Sequence, residues 1–206
     1  MPAEFYLPDA TQVAPRLLNG LLWSRAGSVI TCGRISETEA YMPDDPASHA
    51  YRGKTARNGS MFGPPGRAYV YLIYGIHHCL NAVTGLDGTA GAVLIRSVES
   101  LIGVEIMAAR RGITGMQGCD AGAGRRTDLM RQVACGPGRL CQAMGIDRSH
   151  DGVDLCDSRS LWITPPAGST GSTGAVIASR RIGIGHPGAA ARPWRYTLEG
   201  DRWVSR

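Results

Sequence analysis

The sequence predicts an α+β fold: a single domain over residues 1–206, with a curved, barrel-like antiparallel sheet, surrounding helices and a protruding β-hairpin. Three observations predict it. Strand-like and helix-like segments do not alternate regularly, which argues against a parallel, doubly wound sheet. The stretch from Ala68 to Val83 carries the aromatic and β-branched residues of two strands around a Tyr74-Gly75 turn. The chain of 206 residues is the size of one domain and can bury roughly 70% of its unfolded surface without staples. Hydrophobic residues make up 43% and charged residues 19%, which excludes collagen, coiled coil and wholesale disorder.

Taken in order, residues 9–19 read as a short helix that ends at Gly20 and loses one backbone bond at Pro15. Val29–Tyr41 reads as one or two strands. Pro43–Pro65 is a long polar loop, of a length that in compact domains is functional or disordered. The hairpin follows, with strands Ala68–Ile73 and His77–Val83. Ala92–Val98 is another strand. Ser100–Arg111 reads as the clearest helix, with an N-cap serine, Glu105 early, Arg110 and Arg111 late, and Gly112 just past the end. Residues 112–126 are glycine-rich and read as a mobile loop, and residues 165–174 as a flexible one. Gly136-Pro137-Gly138 opens a short helix carrying Leu140, Cys141 and Met144. Val176–Ile184 is strand-like, and the tail after it, from Arg192, reads as a final hairpin. There is no internal repeat.

The formal net charge is +5, and Lys54 is the only lysine among 22 basic residues. Mild basicity fits a polyanionic partner without requiring one. The six cysteines form no C-x-x-C pair and no iron–sulfur spacing. With no basic, apolar leader in MPAEFYLPDA, reduced thiols inside a cell are expected. No apolar run approaches the ~20 residues of a membrane span, so no membrane association is expected.

The P-loop, G-x-S-x-G, H-E-x-x-H and EF-hand patterns are missing. His77 and His78 are adjacent and on a strand face opposite ways, a poor metal pair; neither a metal nor a cofactor is expected. What remains is aromatic and acidic. Period-2 geometry puts Glu37, Glu39 and Tyr41 on one strand face, and a carboxylate beside a tyrosine ring suits a site that stacks and deprotonates. Spacing alone leaves Glu37 and Glu39 equally eligible as a base, and a solvated strand face is the bland alternative. Tyr69 and Tyr71 share a face of the hairpin, while Tyr74 at its tip is exposed or wedged into a partner.

The segments ETEAYMPDDPASHAYRGKTARN and YVYLIYG, followed by GAVLIR, ACGPGRLCQAMGI and RRIGIGHPG, closely resemble the alkyladenine (3-methyladenine, alkylpurine) DNA glycosylase family over about residues 5–205. The resemblance implies a monofunctional base-excision-repair enzyme. Such an enzyme flips a damaged purine nucleotide from duplex DNA and hydrolyses its N-glycosidic bond. Alkylated or deaminated purines are the implied substrates: 3-methyladenine, 7-methylguanine, hypoxanthine and ethenoadenine.

Residue by residue, it implies Glu39 as general base and Arg96 as its partner toward water and phosphate. Tyr41, His49 and Tyr71 match the stacking residues. Asn81 matches the residue that crowds the 2-amino group of guanine, and Met61 shapes the same end of the pocket. Tyr74 matches the wedge. Arg52, Arg57, Arg67 and Arg139, with Gly136 and Gly138 at a helix start, would hold the DNA backbone. Lys54, or Pro2 after loss of Met1, is the amine a strand-nicking lyase would need; the family uses neither. The implied partner is double-stranded DNA carrying damaged purines, met by a monomer in the cell interior, in a bacterial cytoplasm rather than a nucleus. Two rival readings are a non-catalytic binder of distorted duplex and a small-molecule enzyme such as a formyl-transfer domain.

Overall fold

The computed structural model describes residues 1–114, 123–166 and 173–205, with residues 123–126 as backbone only. Among the described residues eight strands form one curled antiparallel half-barrel sheet flanked by five helices, an α+β arrangement.

Strand β2 (Val29–Tyr41) organises the sheet. Its first half lies between β1 (Leu21–Ala26) and β5 (Gly91–Ile102); its second half lies between β5 and β8 (Arg195–Leu198). Beyond β5 come β4 (His77–Thr84) and β3 (Ala68–Ile73), the sequence-predicted hairpin. Beyond β1 lies β6 (Leu161–Thr164), and β7 (Val176–Ser179) pairs with β8. Thirteen consecutive residues serve as one strand because both of its edges are occupied. Its burial is nearly continuous rather than alternating, as in strands covered on both faces.

The register between β2 and β5 is interrupted where the site will form. Glu37 pairs with Ser97 and Thr38 with Ile95, so Arg96 is left over on β5; Ile35 pairs with Val98, so Ser36 is left over on β2. Such bulges bend a strand and re-aim a side chain. Here Ile35 and Ala40 face the core, while Glu37 and Glu39 face Arg96 on the other side.

Helix α1 (Ala10–Arg16) starts at Asp9, whose Oδ1 accepts from the amides of Thr11 (2.8 Å) and Gln12 (3.1 Å). It tolerates Pro15 in its last turn and buries Val13 and Ala14. Helices α2 (Val104–Arg110), α3 (Ala123–Ala134) and α4 (Pro137–Met144) add Met107, Val133, Leu140 and Met144 to the same core. Helix α4 has proline in its first turn and Gly145 (φ 70°) at its end, the expected asymmetry of a short helix. The last helix, α5, is the single turn Pro187–Ala190.

Several elements differ from the sequence reading. The helix expected from Ser100 begins at Val104. Ser100 belongs to β5, which runs to Ile102, and the chain turns at Gly103 (φ 72°), which has no capping side chain. Residues 123–126 open α3 rather than continuing a loop; residues 115–122, like residues 167–172 of the other predicted loop, lie outside the described residues. The strand expected over Val176–Ile184 stops at Ser179, and the final hairpin is not local, because β8 pairs back to β7 and β2. The cysteines Cys32, Cys79, Cys135, Cys141 and Cys156 are free thiols. Among the described residues no helix is long and apolar enough to cross a membrane.

Gly33 marks the tightest point of the β2–β5 crossing: a Cβ there would sit 2.6 Å from Val98 Cγ2 and 3.0 Å from the Glu99 carbonyl oxygen. Gly33→Ala is therefore expected to destabilise the fold by about 1–3 kcal/mol through overpacking. A urea titration checks this; an unchanged midpoint would show that β5 yields freely.

Candidate active site

The hairpin, β2, β5 and the loop before η-turn Gly59–Phe62 converge on a cavity of about 390 Å³. Its wall includes Tyr41, His49, Met61, Tyr69, Tyr71, Tyr74, Asn81 and Arg96. Thus the structure gathers all five base-pocket residues expected from the sequence, together with the hairpin tip and the arginine. Ring contacts tie the aromatic wall together. His49 meets Tyr71 edge-on with centroids 4.5 Å apart, and Tyr69 lies against Tyr71 at 5.3 Å. His49 Nδ1 is 2.9 Å from the Tyr69 hydroxyl, which fixes the imidazole against the hairpin. Partial burial, with the nearby Arg57 cation, holds the His49 pKa below its usual value, so the ring is neutral at pH 7. Burial pushes the Tyr69 phenol up to about 12. Asn81 donates Nδ2–H to the Tyr69 carbonyl (3.0 Å) and is nearly fully buried.

Tyr74 and Gly75 form the hairpin turn with φ values of 54° and 71°, closed by the Ile76 amide on the Ile73 carbonyl. Two positive values are those of a type I′ turn, matched to the strand twist. Glycine takes that region freely; an L-residue there costs about 1–2 kcal/mol. The tyrosine is nonetheless 86% exposed and Ile76 71%, so the strain is not offset by packing within the chain.

The acid lies behind this wall. Glu39 has no exposed surface. Its Oε2 accepts from the Tyr41 hydroxyl (2.9 Å) and faces Arg96 Nη1 (3.2 Å), and its Oε1 accepts from the Ile182 amide (2.8 Å). Burial first, then the Glu39 charge and its hydrogen bond, push the Tyr41 phenol well above its ordinary range, so it stays a donor. Ile182, Gly183 and Ile184 line the cavity beside Tyr41.

Glu37 is equally buried but differently used. Its Oε1 accepts from Arg96 Nε (2.9 Å), Arg195 Nε (2.6 Å) and Ser205 Oγ (2.9 Å), and its Oε2 from Ser97 Oγ (3.0 Å) and the Ser205 amide (2.6 Å). Burial alone would raise its pKa; the Arg96 and Arg195 cations and the Ser205 amide outweigh it and hold the carboxyl below the ordinary glutamate range. A carboxylate has about four lone-pair sites. Among the described residues five donors saturate Glu37, whereas Glu39 has three partners and one site left.

A second, larger cavity of about 750 Å³ adjoins the first and shares His77, Arg96, Pro137 and Gly138 with it. Arg111, Arg131, Arg139 and Gly136 also line it. Arg57 is exposed, with its guanidinium 5.9 Å from the Tyr71 ring centroid. Arg52 is exposed on the loop, and Arg67 pairs with Asp154 at 3.5 Å; neither lines a cavity. The sequence reading missed Arg111, Arg131, Ile182, Gly183, Ile184, Ser205 and Arg195. The segment RRIGIGHPG carried a signal, but only the folded chain brings it to Glu39.

The family described as methylpurine-DNA glycosylase matches residues 4–202. Over the whole of this chain, 44% of residues are identical to a protein of Methanoculleus marisnigri, of which 98% is covered. The identity is 43% to a protein of Anaeromyxobacter dehalogenans with 85% covered, and 40% to one of Carboxydothermus hydrogenoformans with 98% covered. All three carry the provisional name 3-methyladenine DNA glycosylase. The chain belongs to the methylpurine-DNA glycosylase family.

Glu37→Gln is expected to cost about 3 kcal/mol near neutral pH, because it leaves the buried Arg96 and the partly buried Arg195 short of one charge. The sign of its pH dependence follows from the lowered pKa. The stabilisation by the Glu37 charge is complete above the unfolded value of about 4.3 and fades as pH falls through the folded value. The stability gap between wild type and variant should therefore shrink progressively as pH falls below about 5 in urea titrations. A gap that stays constant would show that the charge of Glu37 is not what stabilises the fold.

Proposed function

We propose that residues 1–206 form one glycosylase domain, a monofunctional enzyme of base excision repair. It swings a damaged purine nucleotide out of duplex DNA into the aromatic cavity and hydrolyses the N-glycosidic bond. The observation that carries this reading is the division between the two carboxylates: Glu37 is saturated, and Glu39 keeps one acceptor site beside the aromatic wall.

In this reading Tyr74 enters the duplex and takes the place of the extruded base, offsetting a few kcal/mol of lost stacking and pairing. Its exposed, strained position supports that role. Tyr41, Tyr71 and His49 enclose the base, each face-on contact restoring about 1–3 kcal/mol. Electron-rich tyrosine faces favour cationic alkylpurines beyond area burial alone. Asn81, held to the Tyr69 carbonyl, presents a fixed amide against which the 2-amino group of guanine would crowd, and Met61 limits the same space.

Glu39 has no surface of its own in the cavity, so water reaches it as the wall of Tyr41, Arg96 and Ile182 adjusts to the entering nucleotide. The water oxygen bonds to the sugar C1′, its proton passes to the free lone pair of Glu39, and the bond from C1′ to the base nitrogen breaks with its electron pair leaving on the base. A cationic base departs neutral; a neutral one such as hypoxanthine takes up a proton. The anionic Glu39 also steadies the oxocarbenium-like sugar. Arg96, touching both the cavity and Glu39, orients the acid and offers its remaining N–H groups to water or a flanking phosphate.

The basic cavity with Arg139, Gly136 and Gly138, and the exposed Arg52 and Arg57, supports the DNA backbone. Arg67, paired with Asp154, contributes least. Lys54 lies on the exposed loop with its ammonium 5.9 Å from the Phe62 ring centroid and outside the cavity lining, which supports hydrolysis without strand nicking. A monomer is sufficient, since the wall and the acid come from one chain.

Glu39→Gln is expected to lower single-turnover base release by about 10²–10⁴-fold while retaining affinity for lesion duplex. Release at the wild-type rate would remove Glu39 from the chemistry, and a protein that binds lesions but never releases base would be the non-catalytic binder. Tyr74→Ala should weaken lesion binding by about 1–3 kcal/mol, the scale of one aromatic–base stack, in a titration with duplex DNA. Unaltered binding would favour a small-molecule substrate.

A further inference from the structure

Residues 180–186 leave β7 and enter α5 without regular secondary structure. Yet this stretch supplies the amide that bonds Glu39 and three residues of the cavity wall. A loop with no ladder of its own holds an amide in place only if something ties it to the strand it serves. That tie is visible one residue earlier. The Arg181 side chain has no exposed surface. Its Nη1 donates to the Ala40 carbonyl (2.9 Å) and makes a close ion pair with the buried Asp45, and its Nη2 donates to the Ala189 carbonyl (3.2 Å). The guanidinium carbon lies 4.6 Å from the Tyr41 ring centroid and 5.3 Å from that of Trp194. Ala40 sits in β2 between Glu39 and Tyr41. The loop is therefore referenced to the same three residues that carry the acid and one wall of the slot. A planar fork serves these separate acceptors while stacking on a ring; an ammonium cannot do both.

We propose that Arg181 is a positioning residue: it locks the Ile182 amide onto Glu39 and backs the Tyr41 ring, so that acid and slot move as one unit. The proposal rests on Glu39 being the base. Its rival is a buried ion pair that only stabilises the fold.

A pH profile separates the two. An N–H donated to a carboxylate favours its charged form; if the amide drifts, the acidic limb of the rate profile moves to higher pH. The other groups facing Glu39 are Arg96 from β5, Tyr41 on β2, Cys79 from β4 and, through Arg96, Glu37; all remain in every variant. Single-turnover release of hypoxanthine from duplex DNA is measured across pH for wild type, for Arg181→Lys, and for Arg181→Met combined with Asp45→Asn, which removes both charges of that pair and leaves only the partly exposed Arg192 without its 4.0 Å contact to Asp45. Melting temperatures are taken alongside. The double variant is expected to lose about tenfold to hundredfold in plateau rate, with the acidic limb displaced to higher pH. Arg181→Lys, which keeps the Asp45 pair but not the fork, is expected to fall between.

A rate loss with the limb unmoved would mean a structural role only and overturn the proposal, as would wild-type rate and limb. If the double variant does not fold, Arg181→Lys decides by the same criteria. Glu39→Gln is run beside them. If it keeps the wild-type rate, the reading of Glu39 fails; if it is inactive while the Arg181 variants keep the wild-type limb, only the Arg181 proposal fails.

Discussion

The guanidinium of Arg96 lies between two buried carboxylates, 2.9 Å from Glu37 and 3.2 Å from Glu39, and the rest of the site is arranged around it. Two glutamates on one face of one strand, both without solvent, would repel and drive each other toward protonation. Arg96 prevents this, and Arg195 on the far side of Glu37 (2.6 Å) balances the remaining charge. Two acids and two bases thus form a neutral group, which is why the sheet can bury it without the large penalty that an unpaired ion incurs. Arg96 reaches this position because the β2–β5 ladder omits it from pairing. A regular strand would alternate Ile95, Arg96 and Ser97 in step with β2.

The same group draws in the end of the chain. Ser205 gives Glu37 both its amide and its hydroxyl, Arg96 Nη2 donates to that hydroxyl at 3.2 Å, and Ser36 Oγ donates to the Trp203 carbonyl at 2.6 Å. Strand β8 then seals the second edge of β2. Residues nearly 170 apart in sequence, 37 and 205, therefore meet at one carboxylate. Stability and site geometry are carried by the same contacts. Long-range closure of this kind is costly in chain entropy, and the pairing of β8 with β2 and the hydrogen bonds to Glu37 both act against that cost.

What the sequence revealed follows a physical line. The hairpin, the α4 helix and the shared face of Glu37 and Glu39 were legible because each is set by neighbours in the chain: alternation, a proline in the first turn, a glycine at the end. The helix start at Ser100 was misread because a serine before an amphipathic run looks like a cap; pairing of β5 with β2 through Ile102 overrode that local preference. The closing strands were misread for the same reason, since β7 and β8 are far apart and find each other only across the sheet. Spacing alone also left the two glutamates equivalent. Their difference lies in donors from Ser97, Arg195, Ser205 and Ile182, none of them adjacent in sequence to either acid. The resemblance to glycosylases singled out Glu39, and the hydrogen bonds show that the two carboxylates are held differently.

In the proposed reaction, that difference would explain why a site with one working acid keeps a second one beside it. If Arg96 bonded Glu39 alone, nothing would fix the plane of its guanidinium, and each change in the charge of the acid would let the arginine turn toward solvent or phosphate. With Nε on Glu37 and Nη2 on Ser205, only Nη1 remains to follow Glu39. In the proposed reaction Glu37, with its lowered pKa, would stay charged throughout, so the reference point would not move. Preorganised charge of this sort needs no rearrangement at the moment of bond cleavage. In the proposed reaction the saturated glutamate would be the support and the unsaturated one the tool, and exchanging their hydrogen-bond partners, rather than their positions on the strand, is what would exchange those roles.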